Sequence, residues 1–139
     1  MATVVRAELS EKNKYWVEKH RHYELKHFCL QYPMWRKEYA RHMEMSIPSS
    51  ISERIPYGNT PSDPVSKHVE IRDYFYRKIK LVENVAIQAD PELCRYILLG
   101  VTEGFSYTYL KTRMNIPCCK DTYYDRFRKF FWLLDRIKD

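Results

Sequence analysis

Apolar and polar positions along this chain alternate with a helical period, broken at sharply marked points. The most regular stretch lies at the end. Tyr123, Phe127, Phe130, Leu134 and Ile137 recur at alternating steps of four and three, the spacing that lays side chains in one stripe down a helix. A helix is predicted from about Asp121, whose carboxylate can cap the free amides of the first turn, to about Ile137. The stripe is its buried face. Lys120, Thr122, Asp125, Arg126, Arg128 and Lys129 flank the stripe or turn away from it, leaving a mostly basic, hydrogen-bonding surface for a partner.

Two shorter helices precede it. Phe105 to Leu110 reads as one, with Gly104 ending the helix before it, Ser106 as a cap and Asn115-Ile116-Pro117 as the tight turn that follows. Asp90-Pro91 opens the other, PELCRYILLGVTE, with Leu93, Ile97, Leu98 and Val101 inward. Together they predict a C-terminal three-helix unit. Upstream, Asp63-Pro64 is the same kind of opening, and Val65 to Ala89 carries apolar residues at Val69, Ile71, Phe75, Ile79, Val82, Val85, Ala86 and Ala89. These cover more than one stripe of a helix roughly 37 Å long. Such a rod has to be sandwiched, inside the chain or against a second copy, and a homodimer is expected because so small a protein has few elements to cover it.

The N-terminal third reads as a helical pair, residues 1–45. Met1 to Ser10 is expected to fray. Asn13 to Tyr32 has Trp16, Tyr23, Leu25, Phe28, Cys29 and Tyr32 at fair helical spacing, and Pro33 to Met45 places Trp35, Tyr39 and Met43 on one face, with Pro33 suited to a first turn. From Ser46 to Pro64 the character changes: prolines, Gly58 and serines collect in SIPSSISERIPYGNTPSDP, which reads as a linker or long loop. The expected architecture is all-α, divided as 1–45, 46–64 and 65–139.

Composition narrows what such a fold does. At 139 residues, 45% hydrophobic and 15% aromatic, the chain can build a real core. No apolar run approaches the length of a membrane span, and the start lacks the basic and apolar segments of a signal peptide, so a cytoplasmic protein without membrane contact is expected. The net charge of +6 favours anionic partners. Its distribution says more: from Phe105 onward eight Lys and Arg face four Asp and Glu, whereas Asp90 to Gly104 holds three acids and one arginine. Cys29 and Cys94 stand alone and Cys118-Cys119 are adjacent, which is not the spacing of a zinc knuckle, and free thiols are expected. His20 and His22 point to different sides of a helix, and His22 and His27 miss the four-residue step that aligns ligands, so solvated or packing histidines are expected. With three glycines, no nucleophile elbow and no HExxH pair, the chain offers no enzyme signature; neither a metal nor another cofactor is expected.

The wording of the C-terminal third resembles a known pattern. A glycine, an aromatic, Ser106-Tyr107, then Leu110, then Asn115-Ile116, a turn and Thr122-Tyr123-Tyr124-Asp125-Arg126-Phe127-Arg128 is similar to the helix-turn-helix of sigma-factor region 4, and most similar to phage late-gene transcriptional regulators of the RinA and ArpU type. The stretch Pro117-Cys118-Cys119-Lys120-Asp121 makes the turn longer than that family's. The resemblance implies Leu110, Met114, Ile116, Tyr123 and Phe127 as core, and Lys120, Thr122, Tyr124, Arg126 and Arg128 on or beside a recognition surface. On this reading Arg126 or Lys120 meets a guanine, Thr122 and Tyr124 a phosphate or a thymine edge, and Arg128, Lys129, Lys111 and Arg113 the DNA backbone. The partner is then double-stranded DNA, with RNA polymerase as a further candidate. The acids Asp121 and Asp125 oppose phosphate contact unless they cap the helix or pair with its bases. Two alternatives stand beside a transcriptional regulator from a phage or mobile element. One is a protein-binding adaptor or inhibitor of a host enzyme that uses Trp16, Trp35 and the neighbouring tyrosines. The other is a small terminase-like DNA-packaging subunit.

Overall fold

The structure, a computed structural model, describes residues 12–45 and 64–139. Every regular element among them is a helix: α1 (Lys19–Leu30), α2 (Tyr32–Met45), α3 (Pro64–Ala89), α4 (Cys94–Glu103), α5 (Tyr107–Met114) and α6 (Lys120–Ile137). The expected all-α class holds. The fraying end read for Met1 to Ser10 and the loop from Ser46 lie outside the described residues, save that Pro64 is the first residue of α3.

Two compact units form. Of the described residues, 12–32 and 81–139 make one unit, and 33–45 and 64–80 make the other. α1 packs on α4 and α6, and α4 packs on α6.

The first unit holds most of the core: Leu25, Cys29, Val82, Val85, Ile97, Leu110, Tyr123, Phe130 and Leu134 are wholly buried. α1 begins later than its spacing suggested because two local bonds intervene. Asn13 folds back on its own chain, its side chain accepting from the Tyr15 N–H at 2.8 Å and its carbonyl from the Trp16 N–H at 3.1 Å. Glu18 then caps the helix, accepting from the His20 and Arg21 amides, and these bonds hold its carboxyl below the usual range. Arg21 ties α1 to the far end of α6, donating to Asp135 at 2.7 Å and to the Lys138 carbonyl at 2.7 Å. α4 also starts late. Asp90 caps a turn at residues 91–93 by accepting from the Glu92 and Leu93 amides, and regular helix begins only at Cys94.

Gly100 decides how closely α4 approaches α6. A Cβ there would stand 2.1 Å from the Tyr123 hydroxyl, so only glycine leaves room for that ring. The Tyr123 hydroxyl is fully buried without a hydrogen-bond partner among the described residues, and burial pushes its phenol pKa up. Gly104, at φ 77°, then ends α4 in the left-handed region.

In the second unit α2 and the first part of α3 run antiparallel. Trp35, 1% exposed, lies under the Lys78 ammonium; Tyr39 packs on Tyr76; and Arg72 reaches the Met43 sulfur. Buried His42 meets His68, Nδ1 to Nδ1, at 2.7 Å, one ring donating and the other accepting. Along α3, Ile79, Val82, Val85, Ala86 and Ala89 are buried, whereas Tyr74, Tyr76 and Ile87 are exposed. Among the described residues no helix is long and apolar enough to cross a membrane.

Candidate nucleic-acid interface

α5, the turn after it and α6 are joined by bonds that the local sequence dictates. The Ser106 hydroxyl caps α5, accepting from the Tyr109 N–H at 3.1 Å. Asn115 closes it at φ 57°, a left-handed conformation that asparagine tolerates better than most residues. That reversal drops Ile116, 1% exposed, into the core, where its N–H reaches the Leu110 carbonyl. Tyr107 braces the turn from below: its hydroxyl donates to the Cys118 carbonyl at 2.6 Å, and its N–H donates to the Tyr124 hydroxyl at 3.3 Å. The longer connection, residues 115–119, is thereby held from both ends.

α6 starts at Lys120, one residue before the expected cap. Cys119 occupies the capping position, and Asp121 sits in the first turn, where a carboxylate complements the helix dipole without capping. The Cys119 thiol lies 3.3 Å from the Thr122 hydroxyl. That contact, with the free amides of the helix start, holds its pKa below an ordinary thiol's, whereas burial and then the neighbouring Cys119 push Cys118 up. Cys29 is driven far up by burial. In a pH series of brief iodoacetamide labelling read by mass spectrometry, Cys119 is expected to label first and to begin at lower pH than Cys118. Cys29 should label only on unfolding, and Thr122→Ala should move the Cys119 onset upward.

The inward stripe is mostly as its period predicts. Tyr123, Phe130 and Leu134 are buried and Phe127 half-buried, but Ile137 is 47% exposed. Phe131, outside the stripe, is buried instead against His22, with ring centroids 4.9 Å apart. Of the other core positions the resemblance implied, Leu110 and Ile116 are buried and Met114 is half-buried.

The eight residues expected to meet DNA separate into two groups. Lys111, Arg113, Lys120 and Thr122 are exposed around the end of α5 and the start of α6; Lys129 is half-exposed farther along. None of these four cations has an ion pair among the described residues. Arg126 does not project freely: it donates from Nε to Asp90 at 3.2 Å and from Nη1 to Asp125. Arg128 lies partly against the protein, its Nε buried without a partner among the described residues. The Tyr124 hydroxyl accepts from the Tyr107 N–H. Asp125 thus pairs with a base of its own helix, one of the two roles that reconcile an acid with this surface.

Asp90 was legible only as a helix cap. Its second oxygen anchors α6 through Arg126, 36 residues away, and nothing in the local sequence signals such a pair. Tyr107 likewise carried no mark beyond its place in the motif. Among the described residues no cluster of His, Cys, Asp and Glu could hold a metal ion. The chain matches no known protein family, no curated protein and no solved structure.

Proposed function

We propose that this protein binds double-stranded DNA in a sequence-specific manner through α5, the 115–119 turn and α6, as a transcriptional regulator from a phage or mobile element. One observation carries the reading: Lys111, Arg113 and Lys120, all exposed and without ionic partners among the described residues, flank a single braced turn between two short-coupled helices. The first turn of α6 would approach base edges in the major groove while the α5 cations hold phosphates. Lys120 and Thr122 are the candidates for base contact. Arg126 serves the reading as a strut, fixing α6 against Asp90. A homodimer belongs to the same proposal, since helix-turn-helix proteins commonly read paired half-sites.

The test is fluorescence anisotropy on fragments selected from a random duplex library, at several salt concentrations, with light scattering for stoichiometry. Lys111→Ala/Arg113→Ala/Lys120→Ala is expected to weaken binding at least about tenfold and to reduce the salt dependence by up to about three phosphate contacts. Equal affinity of the triple variant and the parent protein would remove this surface from the reading. No binding at low salt by the folded protein would end it.

A second reading, a protein-binding adaptor, draws on exposed Tyr74, Tyr76 and Met34 in the 33–80 unit. Trp35, which that reading first relied on, is buried in its own unit and unavailable to a partner. A DNA-packaging subunit would share the DNA surface and differ in assembling into a larger oligomer, which the same light-scattering measurement distinguishes.

A further inference from the structure

Within the first unit a cavity of about 280 Å³ opens between α1, the end of α4 and α6. One wall is a single stripe of α1, His22, Lys26 and Leu30, each four residues from the next. The opposite wall is a stripe of α6, Tyr124, Phe127 and Phe131. Gly104 also borders the space, where a Cβ would meet no atom within 4 Å. The walls are chiefly apolar and aromatic, and Phe127 and Phe131 meet edge to face at 5.3 Å, so ring edges and faces border the space.

Three polar groups border the cavity besides Lys26. The Ser106 hydroxyl caps α5, the Tyr124 hydroxyl holds the Tyr107 amide, and the His22 ring packs on Phe131. Lys26 is exposed, with neither an ion pair nor a hydrogen bond among the described residues. A cation beside an apolar, ring-lined space selects a molecule with a flat apolar body and one negative group. An engineered cavity of about 150 Å³ admits benzene, so a space of this size suits a two-ring system.

We infer that this cavity is a binding site for a small bicyclic aromatic carboxylate, its rings between Leu30 and Phe127 and its carboxylate on Lys26. The inference stands apart from what α5 and α6 bind, because neither Lys26 nor Leu30 belongs to the proposed DNA surface. Occupancy would brace α1 against α6 across the same stripes.

The experiment titrates the full chain with indole-3-acetate and with its neutral analogue indole-3-acetamide, by calorimetry and by aromatic and methyl NMR. Saturable binding of the acid is expected, about tenfold tighter than the amide, as for one charge-assisted contact. Shifts should centre on Leu30, Phe127 and Phe131. Lys26→Gln should equalise the two compounds. Leu30→Trp, a change at a 39% exposed position that leaves the core intact, should block both, with circular dichroism confirming the fold. No binding of either compound at millimolar concentration would overturn the inference. So would equal affinity for acid and amide in the parent protein, or binding unaffected by Leu30→Trp.

Discussion

Phe130→Ala is expected to lower the stability of the folded chain by about 3–5 kcal/mol, the range for truncating a buried aromatic to alanine. Phe130 is fully buried and stands edge-on to Phe131 at 5.1 Å, with a nearly perpendicular interplanar angle. The loss combines the transfer free energy of the ring with a cavity that the α1–α4–α6 core can close only in part. Ile137→Ala is the internal comparison. It belongs to the same helical stripe by spacing, yet at 47% exposure it should cost less than about 0.5 kcal/mol. Urea unfolding followed by far-UV circular dichroism measures both. Similar losses for the two would mean that α6 is not buried as the structure has it.

Gly100→Ala is expected to change sign with the residue at 123. In the parent protein the new Cβ collides with the Tyr123 hydroxyl, whose ring is enclosed and has no free direction to move. Overpacking of this kind costs about 1–3 kcal/mol. Alanine also gains about 1 kcal/mol over glycine inside a helix, so the net result is destabilising or, at the weakest collision, neutral. Tyr123→Phe removes the colliding oxygen. The next contacts of the added methyl, Phe127 at 3.4 Å and the tip of the ring at 123 at 3.5 Å, are ordinary van der Waals distances. Gly100→Ala should then stabilise by about 1 kcal/mol in the phenylalanine background. Tyr123→Phe alone should be neutral or stabilising by up to about 1 kcal/mol, because it deletes a buried hydroxyl that has no partner among the described residues. The double-mutant cycle reads the coupling directly in thermal or urea unfolding. Additive effects at 100 and 123 would mean that the two residues do not touch.

The proposed DNA surface gains a physical constraint from the same packing. Arg126 looks in sequence like the arginine best placed to read a base, but it is engaged with Asp90 and Asp125. Freeing it would cost those pairs and loosen the Asp90 turn that opens α4. Of the residues expected to meet DNA, the exposed cations without such ties among the described residues, Lys111, Arg113 and Lys120, lie at the end of α5 and the beginning of α6, and the DNA experiment accordingly turns on them.

What the sequence determined by itself is local. The Asp90 and Ser106 caps, the Gly104 stop, the turn at Asn115 and the helical periods of α3 and α6 all follow from preferences that act within a turn or two of the chain. These place the C-terminal helices to within a few residues and mark the turn around which the candidate site is built. Even there, Cys119 displaced Asp121 from the cap, because the choice between neighbouring starts depends on where Tyr107 pins the Cys118 carbonyl.

The tertiary structure decided the rest. Nothing near Lys19 indicates that α1 packs on α4 and α6; His22, for one, meets Phe131 about a hundred residues away. Periodicity could not tell Phe130 from Ile137, since both lie in one stripe of α6, yet one is buried and the other exposed. It could not assign Arg126 to Asp90, or reserve position 100 for glycine, because both depend on where α6 comes to lie against α4. Helix formation follows short-range backbone and capping energies, whereas the pairing of helix faces follows burial and steric fit among residues far apart in the chain.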